Sequence, residues 1–225
     1  MKDLNNWEEK FEICIYAKRL LNKVIYLNSV VKVLPVNVLE VKKAIYYARK
    51  YHGNQMRQSG EPFYSHPIEV AYMVSDYLFR TDVIVTSILH DTIEDTALTK
   101  EKITQEFGAK VANQVMDLTR IKEDGIKISA TEIVEILYNE KKYDVLLIKL
   151  FDRLHNMQTI STKSFKKAIK TIEETLISFL AVGAVIDRRL EECLIQLCFA
   201  FLKIDISNID TNLSDDNFQI PYLTL

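Results

Sequence analysis

The sequence predicts an all-α fold, and three observations carry that prediction. Only five glycines and four prolines punctuate 225 residues, which leaves room for long helices joined by short loops. Apolar residues recur at spacings of three and four through most of the chain, with no Gly-rich phosphate loop, strand-rich block or internal repeat among them. Apolar residues make up 48% of the chain, enough for a real core in one large helical domain, with or without appendages.

From about Trp7 to Val33, the side chains of Phe11, Ile15, Ala17, Leu20, Leu21 and Val24 recur at helical spacing. One amphipathic helix, with room for an interruption, is expected there as a packing appendage or a partner surface. Pro35 breaks the chain, and Asn37 is a good N-cap for a helix over Val38 to His52. Gly53 to Ser65 is a polar loop, and Pro67 places His66 near the next helix start. Val83-Ile84-Val85-Thr86-Ser87, with Asp82 as the expected N-cap, leads a buried helix that ends in His90, Asp91, Glu94 and Asp95. Thr99 to Phe107 and Ala109 to Thr119 read as two short helices split at Gly108.

Ile121 to Ser129 is loop-like, and Thr131 to Asn139 is helical. Lys141-Lys142-Tyr143-Asp144 opens an apolar helix that delivers Asp152, Arg153, His155, Asn156 and Thr159. Lys163 to Lys170 is a basic run, read as a solvated face. Ile172 to Ile186 and Arg189 to Leu202 complete the helices before a polar tail. The expected plan is an N-terminal helical extension over 1–35, a main domain over 36–203 and a tail over 204–225.

A formal charge of −2 argues against a nucleic-acid or membrane surface as the main partner. An anionic ligand would have to be met by local cations or a metal. Three cysteines without metal-like spacing read as small apolar residues in a reducing compartment. The N-terminus is too polar for a signal peptide, and no apolar run approaches the roughly 20 residues that span a bilayer. A cytoplasmic location is expected.

The chemistry concentrates at Ile88-Leu89-His90-Asp91-Thr92-Ile93-Glu94-Asp95-Thr96. On a continuous helix His90 would stack with Glu94, and Asp91 with Asp95, so that all four project into one sector. Three carboxylates and an imidazole crowded at the end of an apolar helix repel one another and cost desolvation. A divalent cation explains why they stand together. His66, His90, Asp91 and Asp152, drawn from three helices, make a mixed nitrogen and oxygen set that suits Mn²⁺, Fe²⁺ or Zn²⁺ better than Ca²⁺.

His66, the pair His90-Asp91 and Asp152 resemble the H…HD…D signature of HD-domain metal phosphohydrolases. The stretches His52 to Pro67, His90 to Thr96 and Ile148 to Met157 are similar to the hydrolase domain of the RelA/SpoT proteins, which cleave the alarmones ppGpp and pppGpp. The resemblance runs in order from about Val41 to Val185. It implies an HD-domain helical bundle, one divalent metal (Mn²⁺ foremost) on the four ligands, and Glu94 and Asp95 as the catalytic pair that orients water and moves its proton. It also implies nucleotide contacts at Arg57, Gln58 and Ser59. Asn156 and Thr159 are expected to hold ribose or phosphate, and Arg153 is a further contact or the partner of a carboxylate. His52 becomes a near-site residue outside the ligand set.

Two positions depart from the family. Gln58 stands where bacterial bifunctional members usually have lysine, and Phe151 replaces the alanine of Ala-Asp-Arg, with its ring expected in the core. The expected activity is metal-dependent removal of the 3′-pyrophosphate of ppGpp or pppGpp, giving GDP or GTP, by a stand-alone hydrolase that degrades the messenger without making it. Two rivals stay open: an NADPH phosphatase, and a catalytically inactive nucleotide-binding sensor. An oligomer is open as well.

Overall fold

A computed structural model describes residues 6–32, 34–120 and 126–209, with side chains through 203. The regular elements are all helical, and an isolated antiparallel bridge joins Met56 to Pro62 across the polar loop. The stretch 121–125 of the expected loop and the part of the expected tail beyond 209 lie outside the described residues.

The first helix, α1 (Ile15–Val30), starts later than its apolar pattern suggested. Residues 7–10 form a turn instead, closed by Lys10 N donating to Trp7 O at 3.1 Å. Cys14 caps α1 through its sulfur, which accepts from Ala17 N at 3.5 Å. Helix α2 (Val38–His52) has the expected bounds, because Asn37 Oδ1 accepts from Leu39 N and Glu40 N. It stops at Gly53, whose φ of 54° is one that a side chain would strain. The loop then enters α3 (Ser65–Val74), with His66 and Pro67 in its first turn.

The central helix departs from expectation. Helix α4 (Thr81–Leu89) begins after Arg80, and Asp82 is not its cap but a first-turn carboxylate paired with Arg80 and Lys110. The chain does not continue helically through Asp95. It breaks at His90-Asp91 and resumes as a single turn, α5 (Thr92–Asp95). Two side chains account for the break: His90 Nδ1 donates to Ser87 O at 2.7 Å, and Thr92 Oγ1 donates to Leu89 O at 2.6 Å. Such local bonds compete with the helical ladder for its carbonyls.

Helix α6 (Lys100–Leu118) is kinked into two at Gly108, at φ 86°, as the sequence implied. Ser129 and Glu132 form a capping box on α7 (Ala130–Asn139). Helix α8 (Tyr143–Gln158) is the axle of the fold, with every residue from Val145 to Leu154 buried, Phe151 among them. A 3-10 turn (Ile160–Thr162) leads to α9 (Phe165–Glu174), and a π-helical turn (Thr175–Phe179) leads on to α10 (Leu180–Ile186). The last helix, α11 (Arg188–Ile209), continues past position 203.

Two apolar clusters form the core. One gathers α1, α2, α4 and α6 around Leu20, Ile45, Ile84 and Ile103. The other gathers α7, α8 and the C-terminal helices around Leu137, Leu146, Ile148 and Phe179. Helix α3 contributes to both, Ile68 and Ala71 to the first and Val70 and Val74 to the second. The ionisable side chains of α3, α4 and α8 therefore meet at the seam between two rigid cores.

Candidate active site

The four expected ligands converge at that seam. His66 Nε2 lies 3.1 Å from Asp152 Oδ1 and 3.6 Å from Asp91 Oδ2. His90 Nε2 lies 3.1 Å from Asp91 Oδ1 and 3.9 Å from Asp152 Oδ1. The ligand atoms of His66, His90 and Asp152 all fall within 4.8 Å of one another, and Asp91 joins them through both imidazoles.

These donors fit a divalent cation. His90 Nε2 is buried and makes no hydrogen bond, although Asp91 Oδ1 is near it. The bond from His90 Nδ1 to Ser87 O puts the proton on Nδ1 and leaves the Nε2 lone pair for a metal. His66 is set the same way. Its Nδ1 is 2.9 Å from His155 Nδ1, and His155 is pressed down to a pKa of about 3, by burial first and then by the neighbouring His66 ring and Arg57. A neutral His155 accepts at Nδ1, so His66 Nδ1 donates and His66 Nε2 points its lone pair inward.

Asp152 is fixed on two sides, by Lys149 Nζ at 2.9 Å and Asn156 Nδ2 at 2.6 Å, and faces His66 Nε2 on the third. Burial works against its charge, but Lys149 and the imidazoles hold its carboxyl well below the usual carboxylate range. Burial opposes the charge of Asp91 too, and His90 and His66 keep its pKa low.

Three of the four expected ligands, His66, Asp91 and Asp152, line a cleft of about 410 Å³, of the size that takes a nucleotide. All six expected substrate contacts line it, together with Glu94 and Asp95. Arg57 reaches across from the loop, donating to Asn156 Oδ1 at 3.3 Å and Thr159 Oγ1 at 3.2 Å. Thr159 is the C-cap of α8, not part of its helical face. Ser59 Oγ is buried without a partner. Arg153 turns out to be largely structural: it donates to Thr171 O at 3.1 Å and Glu174 Oε2 at 2.9 Å, and lies over the Phe179 ring.

The two carboxylates of α5 have different surroundings, because the break before α5 removes the single sector expected of a continuous helix. Glu94 turns to Arg120, accepting from its Nε at 3.0 Å and from its backbone N at 3.2 Å. Against the cost of burial, these bonds lower the Glu94 pKa. Asp95 has no ion pair among the described residues. Crowding in the cleft, with Asp91 and Glu94 nearby, pushes its pKa up to about 6. Its backbone oxygen accepts from Gln55 Nε2 at 2.9 Å, and Gln55 Oε1 accepts from His52 Nδ1 at 2.8 Å. His52 stacks on Phe63, so the helix-end imidazole ties α5 to the polar loop.

Sequence reasoning gave no role in the site to Lys149, His155, Arg120, Gln55 or Lys163. A lysine and a histidine three residues either side of Asp152 were a readable signal. Arg120 carried none. Lys163, expected in a solvated run, is half-buried and lines the cleft.

Comparison with known proteins adds the following. An HD-domain family model matches residues 44–180. A GTP pyrophosphokinase rsh of Brucella abortus (strain 2308) is 36% identical over 176 residues, 76% of this chain and 24% of that protein. A guanosine-3′,5′-bis(diphosphate) 3′-pyrophosphohydrolase of Aquifex aeolicus (strain VF5) is 35% identical over 144 residues, 63% of this chain and 21% of that protein. The chain thus spans about a quarter of the length of such relatives. A solved structure, described as a metazoan ortholog of SpoT that hydrolyzes ppGpp and plays a role in starvation responses, shares the fold with a TM-score of 0.59 at 20% identity. That match covers 70% of this chain and 93% of the other.

Proposed function

The chain belongs to the HD-domain family, alongside RelA/SpoT-type relatives, and on that premise we propose that it removes the 3′-pyrophosphate of ppGpp or pppGpp, yielding GDP or GTP. The observation that carries the reading is the buried convergence of His66, His90, Asp91 and Asp152 on a cleft that also holds an unpaired carboxylate, Asp95, and an arginine, Arg57, suited to a nucleotide. Relatives named for this chemistry support it.

The four ligands would hold one divalent cation, with Mn²⁺ the first choice and Fe²⁺ or Zn²⁺ compatible with two nitrogen and two oxygen donors. When bound, the ion supplies Lewis-acid polarisation of a phosphoryl oxygen and acidification of water.

The remaining work falls to the chain's own residues. Lys149 and Asn156 hold Asp152 in one rotamer, while Ser87 O and His155 fix the tautomers of the two imidazoles. Asp95, with its raised pKa, takes the proton from the attacking water. Glu94 keeps Arg120 at the cleft wall, where a guanidinium can meet phosphate charge. Asn156 and Thr159, both bonded by Arg57, hold the nucleoside with it so that the phosphorus on the 3′ oxygen is the one presented. The leaving 3′ oxygen recovers the proton as GDP forms. Incubation with ppGpp, pppGpp and NADPH separately, with and without Mn²⁺, tests the reading. GDP or GTP with pyrophosphate is expected, and faster orthophosphate release from NADPH would reassign the substrate.

A further inference from the structure

Among the described residues, five cations line the cleft: Arg57, Arg120, Lys149, Arg153 and Lys163. Three are paired with carboxylates. Arg120 meets Glu94 at 2.8 Å, Lys149 meets Asp152 at 2.9 Å, and Arg153 meets Glu174 at 2.9 Å. Arg57 bonds only neutral groups, Asn156 and Thr159, and Lys163 has no ion pair or hydrogen bond from its ammonium among the described residues. Two cations without a carboxylate therefore face one half-enclosed space. Ser59 Oγ, buried and without a partner, lines the same space.

Leaving a half-buried ammonium unpaired is unfavourable, since it loses water and gains nothing. Burial accordingly lowers the Lys163 pKa, and Arg153 and Arg57 add repulsion. An anion placed between Lys163 and Arg57 would relieve both costs. The position of that anion along the cleft follows from the helix. Asp152 marks the metal end, and Thr159 at the α8 C-cap lies roughly 10 Å along the axis, at 1.5 Å per residue. Lys163 follows one 3-10 turn after that cap, beyond Thr159 in the chain, and its side chain lines the cleft.

We propose that Lys163, with Arg57 and the Ser59 hydroxyl, forms a second anion subsite that holds the 5′-phosphate chain of the nucleotide while the metal end takes the 3′ chain. This rests on the nucleotide reading above and deepens it. The enzyme would then discriminate between nucleotides by their 5′ phosphates, at a residue that takes no part in the cleavage. A lysine is a compact charge suited to a flexible phosphate chain, whereas the planar Arg57 suits the flat base or a bidentate grip.

The test is calorimetric titration of the full chain with GDP and, separately, with guanosine, for wild type, Lys163→Met and Lys163→Arg. Wild type should bind GDP about tenfold or more tightly than guanosine, the usual scale of a charge-assisted contact. Lys163→Met should lose most of that preference and Lys163→Arg should keep most of it. The preference should also shrink as salt rises. Because the Lys163 ammonium makes no bond among the described residues, the methionine variant should melt with wild type, which separates lost binding from lost folding. No GDP preference in wild type, or an equal preference in Lys163→Met, overturns the subsite. A kinetic arm compares ppGpp with guanosine 3′-diphosphate lacking 5′ phosphates. The ratio of their kcat/KM values should collapse in Lys163→Met, and a ratio equal to that of wild type places Lys163 elsewhere on the ligand. If wild type hydrolyses neither compound, the proposed activity fails, while the GDP titration still decides the subsite.

Discussion

Replacing Asp95 with asparagine removes the one carboxylate in the cleft, among the described residues, that the structure leaves free to move a proton. Glu94 is committed to Arg120 through its side-chain and backbone nitrogens, and Asp91 and Asp152 face the imidazoles. Asp95 sits with its carboxyl pushed up to about 6, by desolvation first and by Asp91 and Glu94 next. At pH 7 a group with that value is roughly nine-tenths ionised, ready to accept a proton yet still basic enough to use it.

An amide has the same shape but cannot take the proton, so kcat of Asp95→Asn should fall roughly 10²–10⁴-fold, or about 3–5 kcal/mol of barrier. The bound metal should remain, because Asp95 is not among the ligands. The assay is steady-state pyrophosphate release across pH, with metal content measured on the same samples. A base works when ionised, so wild-type kcat should rise with pH through an acid limb. A nearby divalent cation favours the ionised form, which puts that limb at or below about pH 6. The variant should show the low rate without the limb. Near-normal turnover in Asp95→Asn, or an unchanged limb, would refute the assignment, and loss of metal would make Asp95 a ligand.

Three further outcomes are expected. Asp91→Asn and His90→Ala should each lose bound metal and turnover together, and full occupancy by elemental analysis in either would remove that residue from the ligand set. His155→Phe keeps the ring volume but removes the acceptor of His66 Nδ1. Metal affinity measured by competition with a chelator should weaken roughly 10–100-fold, whereas an unchanged affinity would make that contact incidental. Glu106 tests the scaffold: burial works against its charge, but Lys102 and Lys43, at 2.7 and 2.9 Å, bring its pKa down to about 2. A depressed carboxylate stabilises above its unfolded value of about 4.5 and loses that contribution as pH falls toward 2, so Glu106→Gln, with both ion pairs screened by solvent, should cost roughly 1 kcal/mol at pH 7. In urea melts the gap to wild type should narrow steadily between about pH 5 and 3, and a gap independent of pH would contradict the pairing.

Much of this was legible in the sequence, for identifiable reasons. Asn37 and Gly53 bound α2 by local chemistry alone, and the apolar run before Asp152 could only be a buried helix. The four ligands were legible because crowding two imidazoles and two carboxylates needs a compensating charge. The break at His90-Asp91 was not. It depends on side-chain bonds to Ser87 O and Leu89 O that no periodicity records, and it is what separates Glu94 from Asp95. Nor could spacing place Arg120 on Glu94, 26 residues away, or distinguish Lys163 from its solvated neighbours. Both results come from how α6 and the turn after α8 meet the cleft, a tertiary matter.

The central claim is that this cleft directs water at the phosphorus bonded to the 3′ oxygen of the alarmone. Hydrolysis of ppGpp in ¹⁸O-labelled water, with the products resolved by mass, tests it most directly. The account predicts GDP and intact pyrophosphate as first products, with the label in the pyrophosphate. Label in the 3′-hydroxyl of GDP, or orthophosphate as the first product, would contradict it.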